Sequence, residues 1–375
     1  MSAARRLELA PEAQPPWLAP RDVVRCATDG LHPPRGRVVG WLDGAPAFAE
    51  GPSGVEACFD LAAAIDDLLA ERHSRHGRPI TRWLPFHYHK VPSRARLLIK
   101  RALTAVAERT PWTDKSVETL RWLRDGRRAN GVVGPGWPEG RRYAVCLSHD
   151  IDTAEGLRAV ERIAREEERR GWRSAWNFVG LGYEKPDALL RRLADAGHEI
   201  GLHGDTHDNT LAYEPPARIR ARLDRCADFV ARWNIRGFRS PSLCRTPALM
   251  EALAERFDWD SSVPDSEEGG GCASVFPFRC GRLVELPLTV PMDASLLFQG
   301  LDARRIVRLW KAKVDWIRQV GGLAMVTTHP EPVLGGHARL VDAYARFLDD
   351  LGAHADAWRA LPCAVAQGWR SHSWK

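Results

Sequence analysis

Two aspartates separated by one residue follow an apolar run near the middle of the chain. The run Tyr143 to Leu147 is typical of a buried strand, and Asp150 and Asp152 come shortly after it. Side chains alternate along a strand, so both carboxylates point to one side if the extended backbone continues. Two carboxylates this close repel each other unless a cation or a shared proton offsets their charge. The pattern predicts either a metal or acid–base site, or a simple cap by Asp152 or Thr153 on a helix that begins near Glu155.

A second group of side chains that could bind a metal follows another predicted strand. His203 and His207 come directly after the stretch 199–202 and lie four residues apart. One helical turn would place both imidazoles on the same face, ready for a common metal. Taken alone, this spacing is also typical of two surface histidines at the start of a helix. Together with Asp152 it predicts a two-histidine, one-aspartate site, which leaves a coordination position open for water or substrate.

Strands and helices are predicted to alternate from residue 143 onward. Between the strands at 143–147, 174–179, 199–202, 237–239, 259–263, 283–290 and 323–328, most of the intervening stretches have helical periodicity. Such alternation predicts a parallel α/β sheet, either a barrel or a doubly wound sheet. In a barrel, catalytic residues gather at the carboxyl ends of the strands. Six polar residues fall at or near such ends, whereas Asp260 lies within its short strand; the six are Asp150, Asp152, His203, His207, Arg239 and His329.

The first 138 residues have a different pattern. Helices are predicted at 58–72, 94–107 and 114–124, and a hairpin at 37–48 around the turn Asp43-Gly44. Residues 126–140 are rich in Gly, Pro and Arg, which is typical of a linker. We therefore expect a mainly helical N-terminal extension over residues 1–138 and a second domain over residues 139–375.

Composition limits the classes of protein to consider. The chain has 375 residues, 44% of them hydrophobic, and a net charge of +6 that is not massed in one block, so dedicated nucleic-acid binding is not predicted. The eight scattered cysteines include no CxxC pair, and no apolar signal segment or spanning run is present, which predicts a cytoplasmic protein. The basic helix at 94–107 could contact a membrane surface, although a solvated helix face is the preferred interpretation.

From Arg142 to its end, the sequence resembles the polysaccharide deacetylases, also called carbohydrate esterase family 4 or the NodB-homology family. That family has five short motifs in order. Ser148-His149-Asp150-Ile151-Asp152 is similar to the first motif, in a form found in a subgroup with His-Asp-x-Asp. The stretches similar to the second, third and fifth motifs are His203 to His207, Phe238 to Ser242 (with Ser242 in place of a Tyr) and Val326 to Pro330. The fourth motif is poorly matched, and its nearest counterpart is the stretch Asp258 to Ser262.

The resemblance implies a fold and a chemistry. The implied fold is α/β, an irregular, distorted TIM-like (β/α) barrel of about seven strands. The implied activity is metal-dependent removal of an N-acetyl or other N-acyl group from a sugar, in glycan or surface-polysaccharide biosynthesis. The cofactor would be one divalent metal, with Zn²⁺ first and Co²⁺, Ni²⁺ or Mn²⁺ as alternatives. The resemblance implies that Asp152, His203 and His207 bind the metal. It implies that Asp150 is the general base, with Arg239 as its partner. His329 would be the general acid, and Asp260 would be the carboxylate that keeps His329 cationic.

The substrate we expect is an N-acetylated sugar or glycan precursor, which is nucleotide-linked or lipid-linked. Nucleic acid is not an expected partner, and contact with a membrane surface is not required. Two other functions stay open. The replaced Tyr and the weak fourth motif favour a non-catalytic carbohydrate-binding barrel, and the same metal chemistry would serve an O-acetyl esterase or a deformylase.

Overall fold

The computed structural model describes residues 4–28, 30–51, 54–72, 95, 98, 114–125, 133, 134, 136–266 and 271–371. These residues form two sheets, one near the N-terminus and one from residue 143 onward. No described helix has both the length and the apolar character needed to cross a membrane. Apart from residues 95 and 98, the predicted basic helix at 94–107 lies outside the described residues, as do residues 126–132 and 135 of the predicted linker at 126–140.

The N-terminal unit, residues 4–125 as far as they are described, is built on an antiparallel sheet. Its elements are β1 (Arg5–Leu9), β2 (Arg25–Cys26), β3 (Arg37–Leu42), β4 (Ala45–Gly51), β5 (Gly54–Ala57), α1 (Leu61–Leu69) and α2 (Ser116–Arg124). The sheet order is β2-β1-β3-β4-β5. The predicted hairpin is confirmed, since Asp43 and Gly44 both have positive φ angles (46° and 83°), as a two-residue hairpin turn requires.

The prediction of a mainly helical N-terminal extension is therefore wrong for the described residues. The error lies in β1, which sits in a stretch rich in Ala and Pro and joins the sheet by pairing with β2, about 20 residues later, and with β3, about 30 residues later. Pairing over such a separation leaves no mark on local periodicity. The domain boundary at residue 138 stays a prediction.

The second sheet is a curled half-barrel, which confirms the predicted α/β class and distorted barrel. Its strands are β6 (Tyr143–Ile151), β7 (Ser174–Phe178), β8 (Glu199–Leu202), β9 (Gly237–Phe238), β10 (Trp259–Asp260), β11 (Phe278–Cys280), β12 (Leu283–Glu285), β13 (Leu323–Thr328) and β14 (Ala357–Arg359). They follow the order β11-β12-β10-β9-β8-β7-β6-β13, with β14 also paired to β6. All neighbours are parallel except β11 and β12.

Helices accompany this sheet along the chain. They are α3 (Leu157–Glu168), α4 (Asp187–Asp195), α5 (Pro216–Asp224), α6 (Ala227–Arg232), α7 (Pro247–Ala254), α8 (Asp293–Phe298), α9 (Ala303–Val320), α10 (Ala338–Gly352) and α11 (Pro362–Ser371). The helical stretch between β8 and β9 is interrupted between α5 and α6. The apolar stripes of α3, α9 and α10 are buried, as their helical periodicity predicts.

Strand β6 pairs with three other strands of the barrel sheet, and every one of its nine residues is buried. One of its edges pairs with β13. The other edge pairs with β14 through Tyr143 to Val145 and with β7 through Leu147 to Ile151. Because both faces and both edges are covered, the strand reads as a continuous apolar run rather than an alternating one.

The predicted strand at 283–290 is regular only over β12. Beyond it, the chain runs beside β13 with one backbone hydrogen bond, from Val290 N to Met325 O at 3.2 Å. The hydroxyl of Thr289 adds two more, donating to Leu323 O at 2.7 Å and accepting from Met325 N at 2.9 Å. The Thr289 side chain thus makes hydrogen bonds that backbone groups make in a regular β-ladder. These bonds join the chain after β12 to β13, but the sheet does not close into a full barrel.

A glycine on β9 makes room for the largest side chain of the neighbouring strand. Gly237 lies opposite Trp259, which is fully buried and donates from Nε1 to Glu199 Oε1 at 2.7 Å. A Cβ atom on Gly237 would lie 1.9 Å from Trp259 Cε2. We predict that Gly237→Ala lowers the free energy of unfolding by about 1–3 kcal/mol, the usual cost of overpacking a core.

Denaturant unfolding checks this prediction, with Gly30→Ala as the control. A Cβ on Gly30 would meet nothing within 4 Å. Equal midpoints for the two variants would contradict the account of β9.

Candidate functional site

Polar side chains from four strands meet at one rim of the half-barrel. Asp150 and Asp152 lie at the end of β6, His203 follows β8, Arg239 follows β9 and His329 follows β13. These strands are parallel neighbours in one sheet, so their carboxyl ends share an edge. The sequence predicted this rim, and contacts between residues up to 179 positions apart place the side chains on it.

Three of these side chains converge as a metal site would require. Asp152 Oδ1 lies 3.2 Å from Nε2 of both His203 and His207, and all three ligand atoms lie within 4.8 Å of one another. Two ligand atoms that each lie roughly 2.1 Å from one metal ion are about 3.0–3.4 Å apart, if the ligand–metal–ligand angle is between the octahedral and the tetrahedral value. The two distances from Asp152 to the histidines therefore fit ligation of one divalent ion.

The hydrogen bonds around these atoms also fit a cation. Nδ1 of His203 donates to Arg239 O at 2.9 Å, so the lone pair of this imidazole is on Nε2, which faces Asp152. Asp152 Oδ1 is buried and accepts no hydrogen bond from a described group. Burial alone would raise the pKa of Asp152, but His207 and His203 lower it well below its ordinary value. That lowering applies when the histidines carry their protons; when they are neutral, a lone pair faces the charged oxygen, and a divalent cation bound by the three atoms would remove the repulsion.

The loop that carries the two histidines is held in place by hydrogen bonds from Arg222. This buried residue of α5 donates hydrogen bonds of 2.7–2.9 Å to four loop side chains: Asp205, Thr206, Asp208 and Thr210. The bond to Asp205 is bidentate, and Asp205 is fully buried. The loop has no regular secondary structure of its own, so Arg222 fixes the separation of His203 and His207.

We predict that Arg222→Met weakens Zn²⁺ binding by about 10–100-fold, the usual effect of removing a group that orients metal ligands. Competition with a chromogenic chelator measures the affinity. Arg220→Met is the matched control, because Arg220 lies on the same helix and pairs with Glu255 at the surface. Equal affinities for the two variants would show that the loop holds its shape without Arg222.

Asp150 is a buried carboxylate beside this triad. Asn177 Nδ2 donates to its Oδ1 at 2.8 Å, and Arg239 Nη1 lies 3.5 Å from its Oδ2. Burial alone would raise the pKa of Asp150, but the charges of Arg239, His203 and His329 and the Asn177 hydrogen bond lower it. Asp150 is therefore an ionised carboxylate, able to accept a proton from a group bound at the triad.

Arg239 is fully buried and is held on two sides. It donates to Thr327 Oγ1 at 3.0 Å and to Ser148 Oγ at 3.1 Å. Because Ser148 and Asp150 both face Arg239, their side chains lie on the same side of β6, as strand alternation predicted.

The hydrogen bonds of Asp260 go to Ser262, and Asp260 is not among the carboxylates that act on His329, so the expectation that it would keep His329 cationic is corrected. Its carboxylate accepts from Ser262 Oγ at 2.8 Å and from Ser262 N at 3.1 Å. Burial raises the pKa of Asp260, and burial together with the charge of Asp260 raises the pKa of its neighbour Glu285 well above the ordinary value. The charge of Arg239 acts against these increases, lowering the pKa of both Asp260 and Glu285. The assignment of Asp260 to the reaction stays a prediction.

The carboxylate that contacts His329 is Asp293, the first residue of α8. Asp293 Oδ1 lies 2.7 Å from His329 Nδ1, and its Oδ2 accepts from His329 N at 3.0 Å. Burial alone would lower the pKa of His329, but Asp293, with help from Asp152 and Asp150, raises it to about 10. His329 is therefore a cationic proton donor at neutral pH. The signal for Asp293 in the sequence is its position directly after Val290-Pro291-Met292, close to the end of the predicted strand at 283–290.

His149 points to the opposite side of β6, as strand alternation predicted. Its two ring nitrogens lie 2.8 Å from Thr328 Oγ1 and 2.8 Å from Glu167 Oε1, and its ring stacks on Trp176 at 4.0 Å between centroids. Glu167 also accepts from Tyr344 at 2.6 Å. This buried network links α3 and α10 to the strand pair that carries Asp150 and His329, which is a structural role.

Comparisons with known proteins agree with the sequence motifs. The polysaccharide deacetylase family model matches residues 158–255, which include the second and third motifs. The resemblance to this family is thereby confirmed, while the His-Asp-x-Asp subgroup stays a prediction. No curated protein matches the chain.

Solved structures support the same fold. A candidate polysaccharide deacetylase from Mycobacterium smegmatis aligns with a TM-score of 0.56 and 22% identity, over 64% of this chain and 94% of that one. Another from Pseudomonas aeruginosa PAO1 aligns with a TM-score of 0.55 and 17% identity, over 66% and 98%. The Puue allantoinase aligns equally well, with a TM-score of 0.56 and 16% identity over 66% and 97%. At these identities the likeness defines the fold, the half-barrel of the polysaccharide deacetylases, and leaves the substrate to be argued from the site.

Proposed function

We propose that this chain is a metal-dependent deacetylase that removes the N-acetyl group of a sugar. The observation that carries the proposal is the arrangement of three candidate metal ligands between two proton-transfer groups of opposite kind. Asp150 is an ionised acceptor, and His329 is a cationic donor held by Asp293. Hydrolysis of an amide needs both, because water must lose a proton and the leaving nitrogen must gain one.

The residues act in a definite order in this mechanism. A divalent ion bound by Asp152, His203 and His207 would polarise the acetyl carbonyl and lower the pKa of a water. Asp150 accepts the proton of that water as it attacks the carbonyl carbon. The backbone N–H of Ser242, on the rim after Arg239, is our candidate for stabilising the oxyanion. His329 then donates its proton to the departing nitrogen, and acetate and a free amine result.

Zn²⁺ is the metal we propose, since two imidazoles and one carboxylate form a typical open zinc site. Co²⁺, Ni²⁺ and Mn²⁺ are the alternatives to test. The proposed substrates are N-acetylhexosamine conjugates used in glycan or surface-polysaccharide biosynthesis, with a nucleotide or lipid carrier. A cytoplasmic location stays a prediction from the cysteine pattern.

One prediction from this mechanism separates metal binding from proton transfer. Asp150→Asn should lower kcat by about 10²–10⁴-fold, the contribution of a general base, with the bound metal retained. His203→Ala should lose the metal as well as turnover. Acetate release from N-acetylhexosamine conjugates and metal content of the purified proteins are the measurements, and chelator-stripped protein should regain activity on adding Zn²⁺.

Asp302→Asn serves as the control, because Asp302 caps α9 and asparagine caps equally well. An Asp150→Asn protein with normal turnover would refute the assigned mechanism. Glycan binding without any acid release would instead favour a non-catalytic carbohydrate-binding barrel, which the small Ser242 in place of the family Tyr supports. Formate, or acetate from O-acetylated sugars only, would identify a deformylase or an esterase.

A further prediction concerns the dependence of kcat on pH. The general acid must be protonated, so kcat is lost as the pH rises through the pKa of His329, which is about 10. The charge of Asp293 raises this pKa against the effect of burial, so Asp293→Asn should move the alkaline limit of kcat down by about one pH unit or more. Profiles of kcat against pH for the wild type, Asp293→Asn and Asp302→Asn test this. An unchanged alkaline limit in Asp293→Asn would exclude His329 as the proton donor that sets it.

A further inference from the structure

The rim segment Pro241–Leu243 lies against the metal-ligand loop and has a strained backbone. Gly204, directly after His203, has a φ of 72°, and a Cβ atom there would lie 2.8 Å from Pro241 Cγ. Ser242 and Leu243 have φ angles of 51° and 55°, in the left-handed region that residues other than glycine rarely adopt. Two such residues in succession persist only where surrounding contacts hold them.

Some of these contacts come from within the segment. Leu243 N donates to Ser240 O at 3.0 Å, and Cys244 N donates to Pro241 O at 3.2 Å. One contact comes from a charged side chain outside the turn, because Arg245 Nη1 donates to Leu243 O at 3.0 Å. The orientation of the Leu243 peptide therefore depends on the position of the Arg245 guanidinium.

A carboxylate of the N-terminal unit holds that guanidinium. Glu71, two residues beyond α1, accepts from Arg245 Nε at 2.5 Å and also from Arg245 Nη2. Both side chains are only 5% exposed, so the pair is shielded from water and its fork geometry fixes the guanidinium plane. Glu71 Oε1 also accepts from Gly271 N at 2.9 Å, which ties the pair to the segment after β10.

We propose that Glu71 is a positioning residue for the rim segment, acting through Arg245 on the carbonyl of Leu243. The N-terminal unit thereby belongs to the scaffold of the active site, although none of its described residues has a role in the proposed reaction. The expected effect on catalysis rests on the proposed function, in which the Ser242 N–H stabilises the oxyanion. The expected effect on the backbone of the rim segment is independent of the proposed function.

Hydrogen exchange tests the backbone consequence directly on the full-length, zinc-loaded protein. In Glu71→Gln, the amides of Leu243 and Cys244 should exchange about tenfold faster or more than in the wild type, since their turn is no longer held from outside. Glu118→Gln is the matched control. Glu118 is a fully buried carboxylate of the same unit that accepts from Ser274 Oγ at 2.9 Å and Val275 N at 3.0 Å, and neither of these partners belongs to the rim segment.

A second variant guards against loss of folding when one member of a buried ion pair is removed. The double substitution Glu71→Leu with Arg245→Leu replaces the pair by apolar side chains and still removes the donor to Leu243 O. It should show the same faster exchange at Leu243 and Cys244. Wild-type exchange rates at both amides in both variants would overturn the proposal.

Kinetics tests the consequence for catalysis. Glu71→Gln should lower kcat by about 10–100-fold at saturating substrate, the effect expected of a small misplacement of a stabilising group, with zinc affinity unchanged. Glu118→Gln should keep the wild-type kcat. A normal kcat for folded, zinc-loaded Glu71→Gln would contradict a positioning role in turnover. A wild-type protein that releases no acetate would count against the proposed function alone, because hydrogen exchange decides the role of Glu71 by itself.

Discussion

Electrostatic repulsion between Asp150 and Asp152 is the constraint on which the rest of the site depends. The two carboxylates leave one buried strand on the same side, where water cannot screen them, and two ionised acids so placed raise each other's pKa. Here both pKa values are lowered instead, which requires positive charge and hydrogen-bond donors close by. Arg239 and Asn177 meet this need at Asp150, and the imidazoles of His203 and His207 meet it at Asp152.

Each compensating group is in turn held by a further buried group. Arg239 is bracketed by Ser148 and Thr327, and the histidine loop is held by Arg222. His329, whose charge also favours both carboxylates, is held by Asp293. A charged site in a barrel core thus needs several layers of polar partners, because each buried charge costs free energy until it is paired. This explains why so many polar residues are buried at one end of an otherwise apolar sheet.

How much of this was visible in the sequence depends on how local each feature is. The rim could be predicted, because parallel strands bring their carboxyl ends together whatever their spacing along the chain, and Asp43-Gly44 predicted its hairpin from two residues. The partner of His329 could not, since Asp293 reaches it through an irregular stretch after β12 whose path no periodicity encodes. The sheet of the N-terminal unit was missed for a similar reason. Glu71 and Arg245 are 174 residues apart, and nothing in either neighbourhood predicts their contact.

The way β6 shares one edge between two neighbours sets a limit on the shape of the sheet. β14 pairs with β6 as far as Val145, and the pairing of β6 with β7 begins at Leu147. A single residue of β6, Cys146, therefore separates the two paired stretches. Neither neighbour can grow toward the other without competing for the same amide and carbonyl groups. The lengths of these two short strands are therefore interdependent, and insertions in either one are tolerated only in the loops that flank it.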